Sequence, residues 1–265
     1  GEVRALDPVE GKERYSAPVG ARPGPMAWLP GEAAGPEDDV LAVGNQGDGT
    51  VSLLAGGGAT PEFVDVPFGH PFHRCIRALT LRGAVSGYKD QTAEDDLPRF
   101  LPDVPLTRAQ AAKVLVSALN LHTEEVEPAV GAYVDVQDDG GPFPFDYVQE
   151  ATAAGIVAGL GVDPPRFGPY ETVTRIQMLR MASRAAAAVG SALPAAAAPA
   201  PFADVAADSP DADLVAAAHA AGLVAGVPGS DGLLRLMPYA PLTRGQAAKI
   251  VFGLLASLHT GDVAQ

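Results

Sequence analysis

One five-residue pattern occurs three times along the chain and constrains how the rest can fold. In each copy an apolar residue precedes Thr-Arg, a variable residue and Gln, and the copies are residues 106–110, 173–177 and 242–246. A Thr followed three residues later by Gln is a capping box, in which each side chain bonds the other residue's backbone N–H. The pattern therefore predicts that a helix begins at each Thr.

Apolar residues recur with helical period after each capping box. In the first copy they include Val114, Leu115 and Ala118, and in the third Ile250 and Leu254. A helix with such a stripe is stable only when the stripe is buried against another element. The three helices are therefore expected to pack against neighbouring parts of the chain.

The Arg of the pattern occupies the first helical turn, where the helix dipole penalises a cation by up to about 1 kcal/mol. It is nevertheless present three times, as Arg108, Arg175 and Arg244. One explanation is an anionic ligand, since free N–H groups at a helix start and a guanidinium together can bind a carboxylate or phosphate. The other is an ion pair with a nearby Asp that locks adjacent repeats together. The triple occurrence favours the ligand.

A longer repeat surrounds the pattern. Each unit opens with an aromatic residue, a variable residue and Asp-Val, at residues 63–66, 133–136 and 202–205. A short helix is then predicted to end at the first glycine of a pair, and a Pro-containing loop leads to the capped helix. The unit is thus helix, loop, helix, and its length of about 55 to 60 residues is typical of arrays whose members bury their apolar faces on one another. The glycine pairs are Gly83/Gly87, Gly155/Gly159 and Gly222/Gly226.

Residues 1–60 differ from the rest, with Gly, Pro and acidic residues around two β-prone runs at 40–43 and 50–54. The turn-forming residues 46–49 between the runs predict a β-hairpin. This segment resembles one blade of a bacterial β-propeller.

The repeats and the segments between them predict the domain boundaries. Residues 1–60 form the hairpin region and linker, and the repeats are residues 62–121, 132–190 and 202–259. Residues 191–201 form an Ala/Pro linker that is expected to be extended and mobile. A second, acidic linker is expected at 124–131.

Composition excludes several functions. The net charge of −14 argues against nucleic acid as a partner, although a few Arg in grooves could still bind an anionic glycan within a Debye length of about 10 Å. The single cysteine, Cys75, forms no internal disulfide and is expected to be a buried structural thiol. No apolar run could span a bilayer, so membrane insertion is not expected, and a signal peptide is expected to have been removed or truncated.

Catalytic and metal-binding patterns are not evident in the sequence. Apart from the His70/His73 pair, the five histidines lack metal-ligand spacing, and the acidic doublets lack the alternating oxygen ligands of a calcium loop. No Ser lies in a nucleophile elbow, and no Gly-rich loop is arranged to hold phosphate. We therefore predict no catalytic residue, metal or cofactor, and no enzyme activity within these residues.

Taken together, the aromatic-x-Asp-Val opening, the Gly-Ile-Val-x-Gly centre, the Phe-x-Pro loop and the Thr-Arg-Ala-Gln helix start resemble tandem S-layer homology domains over residues 62–259. The resemblance implies a mainly α fold, with three helix-loop-helix repeats in a pseudo-threefold bundle, the motif helices at its centre, and a small N-terminal β-hairpin region. It also implies that grooves between neighbouring repeats bind secondary cell-wall polysaccharide, commonly through a pyruvylated amino sugar. Such domains anchor exported proteins non-covalently to the bacterial cell wall, so an extracellular location is implied.

The resemblance assigns ligand-binding roles to nine residues. The motif arginines would face the acidic ketal, the repeat-opening aspartates would accept sugar hydroxyls or orient the Arg, and the second glycines would let the glycan approach the backbone. All three copies carry Gln where the family often has Glu, and Leu236 stands where Phe is expected. The nine residues are Arg108, Arg175, Arg244, Asp65, Asp135, Asp204, Gly87, Gly159 and Gly226.

Two alternatives to a glycan anchor stay open. The repeats could assemble with other surface-layer subunits into a lattice or filament without glycan, and the arginines would then be held in ion pairs. A catalytic domain could instead lie upstream of Gly1, with this chain as its tether.

Overall fold

The computed structural model describes residues 63–67, 69–89, 98–121 and 133–260, together with the backbone of five strands in the first 55 residues. The described part is mainly helical, as the sequence predicts. Its helices are α1 (His73–Leu81), α2 (Arg108–Leu119), α3 (Phe145–Ala153), α4 (Arg175–Ala188), α5 (Ala212–Ala220) and α6 (Arg244–Thr260).

The capping boxes are present in all three copies. At the start of α2, the Gln110 N–H donates to the Thr107 hydroxyl at 3.3 Å, and the Thr107 N–H donates to Gln110 Oε1 at 3.0 Å. The same reciprocal pair starts α4 at Thr174 and α6 at Thr243. The prediction of three capped helices is therefore confirmed.

The first helix of each unit ends at a glycine, which confirms the second local prediction. Gly83 follows α1 with φ of 74°, Gly155 follows α3 with φ of 69°, and Gly222 follows α5 with φ of 74°. Because a side chain is strained at positive φ, glycine is the residue that allows the chain to leave a helix in this way.

The helices pack in a cyclic order. The motif helices α2, α4 and α6 contact one another, and each also packs against the first helix of the following repeat: α2 on α3, α4 on α5, and α6 on α1. These motif helices are rich in buried Ala, such as Ala111 and Ala182, which are both fully buried. The result is the predicted bundle, with the third repeat packed back onto the first.

A ring of main-chain hydrogen bonds lies where the three loops enter the motif helices. The Leu106 N–H donates to Leu242 O at 2.8 Å, the Leu242 N–H to Val173 O at 2.8 Å, and the Val173 N–H to Leu106 O at 2.9 Å. All three side chains are buried. Each bond joins two different repeats, so the ring fixes the register of all three at once.

The N-terminal strands are β1 (Glu2–Leu6), β2 (Glu13–Pro18), β3 (Ala27–Leu29), β4 (Val40–Asn45) and β5 (Thr50–Ala55). β4 pairs with β5 in antiparallel register, which confirms the hairpin, and the strand order is β2-β1-β5-β4-β3. In the third repeat β6 (Val227–Pro228) pairs with β7 (Leu234–Arg235). The propeller-blade resemblance and the domain boundaries stay predictions.

Two of the predicted connecting segments fall outside the described residues: the hairpin turn at 46–49 and the acidic linker at 124–131. The Ala/Pro segment at 191–201 is described, and it forms neither helix nor strand.

Candidate functional site

Each motif helix starts against the Pro-containing loop of the next repeat. The Arg108 N–H donates to Glu171 O at 2.9 Å, and the Ala109 N–H donates to Pro169 O at 3.0 Å. The equivalent bonds in the other copies run from Arg175 to Ala240, Ile176 to Pro238, Arg244 to Val104 and Gly245 to Pro102. Because the capping Thr takes the third N–H, the expectation of free N–H groups for an anion at these helix starts is wrong. The neighbouring repeat already uses them.

The Arg244 side chain is embedded in the first repeat. Its Nε donates to Phe100 O at 2.8 Å, its Nη2 to Ser86 O at 3.1 Å, and its Nη1 to the Tyr88 hydroxyl at 3.1 Å. The guanidinium lies 4.5 Å from the centroid of the Phe100 ring and 4.8 Å from that of Tyr88. With 8% of its surface exposed, Arg244 is a buried cation held by carbonyl dipoles and aromatic faces.

The other two motif arginines make the corresponding contacts. Arg108 donates from Nε to Phe167 O at 2.8 Å and from Nη2 to Ala158 O at 2.9 Å, and it lies 4.6 Å from the Phe167 ring centroid. Arg175 donates from Nη1 to Leu236 O. The arginines therefore lock adjacent repeats together, as one of the two explanations proposed, but their hydrogen-bond partners are carbonyls rather than an Asp.

Burial lowers the pKa of all three guanidinium groups, and nearby carboxylates such as Glu171 beside Arg108 and Asp204 beside Arg175 offset part of this effect. A guanidinium remains protonated in proteins even so, because its ordinary pKa lies above about 12. Each boundary between repeats thus contains a guanidinium group that stays positively charged and is only partly exposed to water.

The repeat-opening aspartates organise the residues that receive these arginines. Asp65 accepts the N–H of Phe100 at 2.8 Å and that of Leu101 at 2.6 Å, and the carbonyl of the same Phe100 accepts from Arg244. Asp135 and Asp204 do the same for Phe167 with Gly168 and for Leu236 with Met237. An Asp thus fixes each carbonyl that an Arg of the preceding repeat binds. Acceptance of sugar hydroxyls by these carboxylates stays a prediction.

The Asp135 carboxylate shows the electrostatic effect of this arrangement. Its burial disfavours the charged form, but the N–H groups of Phe167 and Gly168 stabilise the anion more strongly, with help from Arg166 at 3.8 Å. The pKa of Asp135 therefore lies below its ordinary value.

The second glycine of each pair packs against the aromatic residue that opens its repeat. A Cβ on Gly159 would lie 2.7 Å from the Tyr133 ring and 3.0 Å from Arg166 O, well inside van der Waals contact. Gly87 faces the Phe63 ring and Gly226 the Phe202 ring in the same way. Glycine is required there by internal packing, and close approach of a glycan to these residues stays a prediction.

A cavity of about 220 Å³, which we term the first groove, lies beside α2. All three repeats contribute to its walls: Arg244 from the third, Tyr88, Gln110 and Lys113 from the first, and Phe143 from the second. Gln110 Nε2 donates to the Tyr88 hydroxyl at 2.9 Å. Over the part of the chain that the structure describes, the lining contains an Arg and a Lys but no carboxylate.

A second cavity of about 160 Å³, termed the third groove, lies at the equivalent place beside α6. Arg175, Gln246, Lys249 and Phe72 line it, and they correspond in role to Arg244, Gln110, Lys113 and Phe143 of the first groove. Its lining also combines an Arg with a Lys, and none of the described residues in it carries a carboxylate.

The lysines of these grooves were missed in the sequence analysis. Lys113 and Lys249 each follow the motif Gln by three residues, and Arg180 holds the same position in the second copy. A residue three positions after the Gln lies on the same helical face. The repetition of a cation at this position was the signal that could have identified them.

The environment of this cation differs among the repeats. Lys113 Nζ lies 5.4 Å from the Tyr147 ring centroid and 5.8 Å from that of Phe143. Arg180 instead makes a bidentate ion pair with Asp211, with Nε–Oδ1 at 2.8 Å and Nη2–Oδ2 at 2.7 Å. Asp211 directly precedes α5 of the third repeat.

Comparison with known families gives one match. The family described as "S-layer homology domain" matches residues 63–112, which contain α1, the loop and the start of α2. A search of curated proteins found no match to the chain. The family is associated with cell-wall binding and surface layers, so the match connects these residues with anchoring at the cell surface in general.

Within the described ranges, no helix is both long and apolar enough to cross a membrane. Over the same ranges, no three His, Cys, Asp or Glu side chains are grouped so that they could hold a metal ion.

Proposed function

We propose that the chain anchors an exported surface protein non-covalently to the bacterial cell wall by binding acidic secondary cell-wall polysaccharide between its repeats. The observation that carries the proposal is the composition of the first and third grooves. Among the described residues that line them, each contains an Arg and a Lys and lacks a carboxylate, although the chain as a whole has a net charge of −14. Positive pockets in an acidic protein favour an anionic ligand.

The remaining lining suits a sugar. Aromatic faces such as Phe143 and Tyr88 offer stacking surface, and the Gln110 amide and Tyr88 hydroxyl are donors and acceptors for hydroxyl groups. A carboxylate-bearing sugar, such as a pyruvylated amino sugar, would use both parts of the groove. The ammonium of Lys113 supplies the partner for its acidic group.

The motif arginines have a different role in this proposal from a direct clamp on the ligand. Arg244 and Arg175 form one wall of their grooves, and their guanidinium groups donate hydrogen bonds to the neighbouring repeat. They supply positive potential and fix the distance between repeats, and Asp65 and Asp204 hold the carbonyls that they bind. At the boundary between the first and second repeats, Arg108 binds the carbonyl of Phe167 and Asp135 holds the backbone of that residue in place.

Binding of purified cell-wall polysaccharide to the double variant Lys113→Gln, Lys249→Gln tests the proposal. Loss of a charge-assisted contact is worth roughly 1.5–3 kcal/mol, so we expect affinity to fall at least about tenfold. Arg184→Gln removes one charge from an exposed site on α4 and should leave affinity nearly unchanged. Equal affinity of the double variant and wild type would refute the assignment of the grooves.

A self-assembly module is the second candidate. Its supporting observation is a set of exposed side chains in the loops before the motif helices, among them Val104 at 45%, Tyr170 at 69% and Tyr239 at 76% exposure. Sedimentation of the purified chain distinguishes the two functions, since an assembly module would associate without polysaccharide.

A further inference from the structure

We propose that the three inter-repeat grooves are not equivalent: the first and third accept the acidic sugar through Lys113 and Lys249, whereas Asp211 occupies the second in place of the ligand. This inference rests on the proposed function and specifies which parts of the site are used. We use the term second groove for the position beside α4 that corresponds to the other two in the repeat, where Arg108, Gln177 and Arg180 are the equivalent residues.

The three repeats place a cation at the same position, Lys113, Arg180 or Lys249, but each cation faces different groups. Across the boundary from Lys113 stand the aromatic rings of Phe143 and Tyr147. Phe72 of the first repeat lines the third groove together with Lys249. Across from Arg180 stands the Asp211 carboxylate.

Asp211 lies at a repeat position that is uncharged in the other two repeats. Aligned on the glycines that end α1, α3 and α5, Asp211 corresponds to Phe72 and Pro144, so the following repeat places an acid where the others place an uncharged residue. Its side chain is 13% exposed, and it makes no capping hydrogen bond to α5. The carboxylate is instead directed at Arg180.

The geometry of the ion pair is that of a bound carboxylate. Two hydrogen bonds of 2.8 and 2.7 Å join the Arg180 guanidinium to both oxygens of Asp211, which is the bidentate arrangement that Arg adopts with carboxylate ligands. An acidic sugar would have to displace this intramolecular partner, which is held in place at high effective concentration. For Lys113 and Lys249, the described residues that line their grooves include no such carboxylate.

The experiment is a titration of ¹⁵N-labelled full chain with the methyl glycoside of a pyruvylated amino sugar, followed by amide chemical shifts. The methyl ester of the same compound is the uncharged control ligand. In the wild-type chain, we expect amides around Lys113 and Lys249 to shift saturably and those around Arg180 to remain unchanged. Shifts of comparable size and midpoint at all three positions would overturn the inference.

Asp211→Ala is the decisive variant, and Asp213→Ala, which removes an exposed acid from the same turn of α5, is its matched control. We expect Asp211→Ala to add a third set of saturable shifts around Arg180, and the double variant Asp211→Ala, Arg180→Gln to lose it again. If the acidic sugar causes no shift of the amides around Arg180 in folded Asp211→Ala, the inference is contradicted.

The titration separates failure of this inference from failure of the proposed function. If no amide of the wild-type chain shifts with the acidic sugar, or if the methyl ester produces the same shifts, then the proposed function itself fails for this ligand class.

Discussion

The guanidinium Nε of Arg244 donates to the carbonyl oxygen of Phe100, 144 residues earlier in the chain, at 2.8 Å. This bond joins the last motif helix to the first repeat and completes a cycle that Arg108 and Arg175 begin. Because a closed cycle has no free end, each repeat is held on both sides. The spacing of the grooves therefore depends on all three arginines.

Truncation of Arg244 should destabilise the fold. Arg244→Ala would leave the buried carbonyl of Phe100 without this donor and remove two further hydrogen bonds, and we expect a cost of about 2–4 kcal/mol. Urea denaturation followed by circular dichroism measures it. Arg184→Ala, at an exposed position, should change stability by less than about 0.5 kcal/mol. Equal stability of the two variants would contradict the structural role.

Gly159→Ala should also be destabilising. The new methyl group would press on the Tyr133 ring and Arg166 O, and overpacking of this kind costs about 1–3 kcal/mol. Gly69→Ala is the control, since nothing lies within 4 Å of its added Cβ. In a Tyr133→Ala background the cost of Gly159→Ala should become smaller, because the ring contact is gone. Equal costs in both backgrounds would show that the ring is not the cause.

The stability contributed by Asp135 should depend on pH. Its pKa is lower in the folded chain than its ordinary value because hydrogen bonds from Phe167 and Gly168 outweigh burial. The unfolded chain therefore binds the proton more tightly, so this stability is present above roughly pH 4 and is lost as pH falls through the folded pKa. The difference in unfolding free energy between wild type and Asp135→Asn should accordingly shrink between neutral and acidic pH. A difference that is constant with pH would contradict the assignment.

Cys75 should be an unreactive thiol. Burial raises its pKa to about 11, although the positive charge of Lys249 opposes the shift, whereas a free thiol has a pKa of about 8.5. Because the thiolate is the reactive form, reaction with a thiol reagent at pH 8 should be slowed about a hundredfold relative to the denatured chain. Absorbance of the released chromophore gives both rates. A native rate equal to the denatured one would show an accessible, ordinary thiol.

Features set by neighbouring residues in sequence could be predicted. The Thr107 and Gln110 pair defines a helix start within four residues, and Gly83 ends a helix because of its own backbone freedom, so both followed from local rules. The chemical partners of Arg108 and Arg244 could not be predicted in this way. They are carbonyls of the next repeat in the cycle, and the local sequence carries no information about them.

In the candidate site, too, some features follow from local sequence and others only from the packing of the repeats. Lys113 could have been identified from its register with Arg180 and Lys249, because a cation three residues after each Gln is a pattern in the sequence. The ion pair of Arg180 with Asp211 depends on which repeat packs beside α4, so only the structure reveals it. The difference between the second groove and the others is therefore a tertiary property.

Co-sedimentation with cell-wall sacculi tests the central claim most directly. The purified chain would be mixed with untreated sacculi, with sacculi stripped of secondary polysaccharide, and with sacculi from which only the ketal groups have been removed. We predict that the chain sediments with untreated sacculi, loses binding when the polysaccharide is removed, and loses most of it when the ketals are removed. Undiminished binding to stripped sacculi, or no binding to untreated ones, would contradict a polysaccharide anchor.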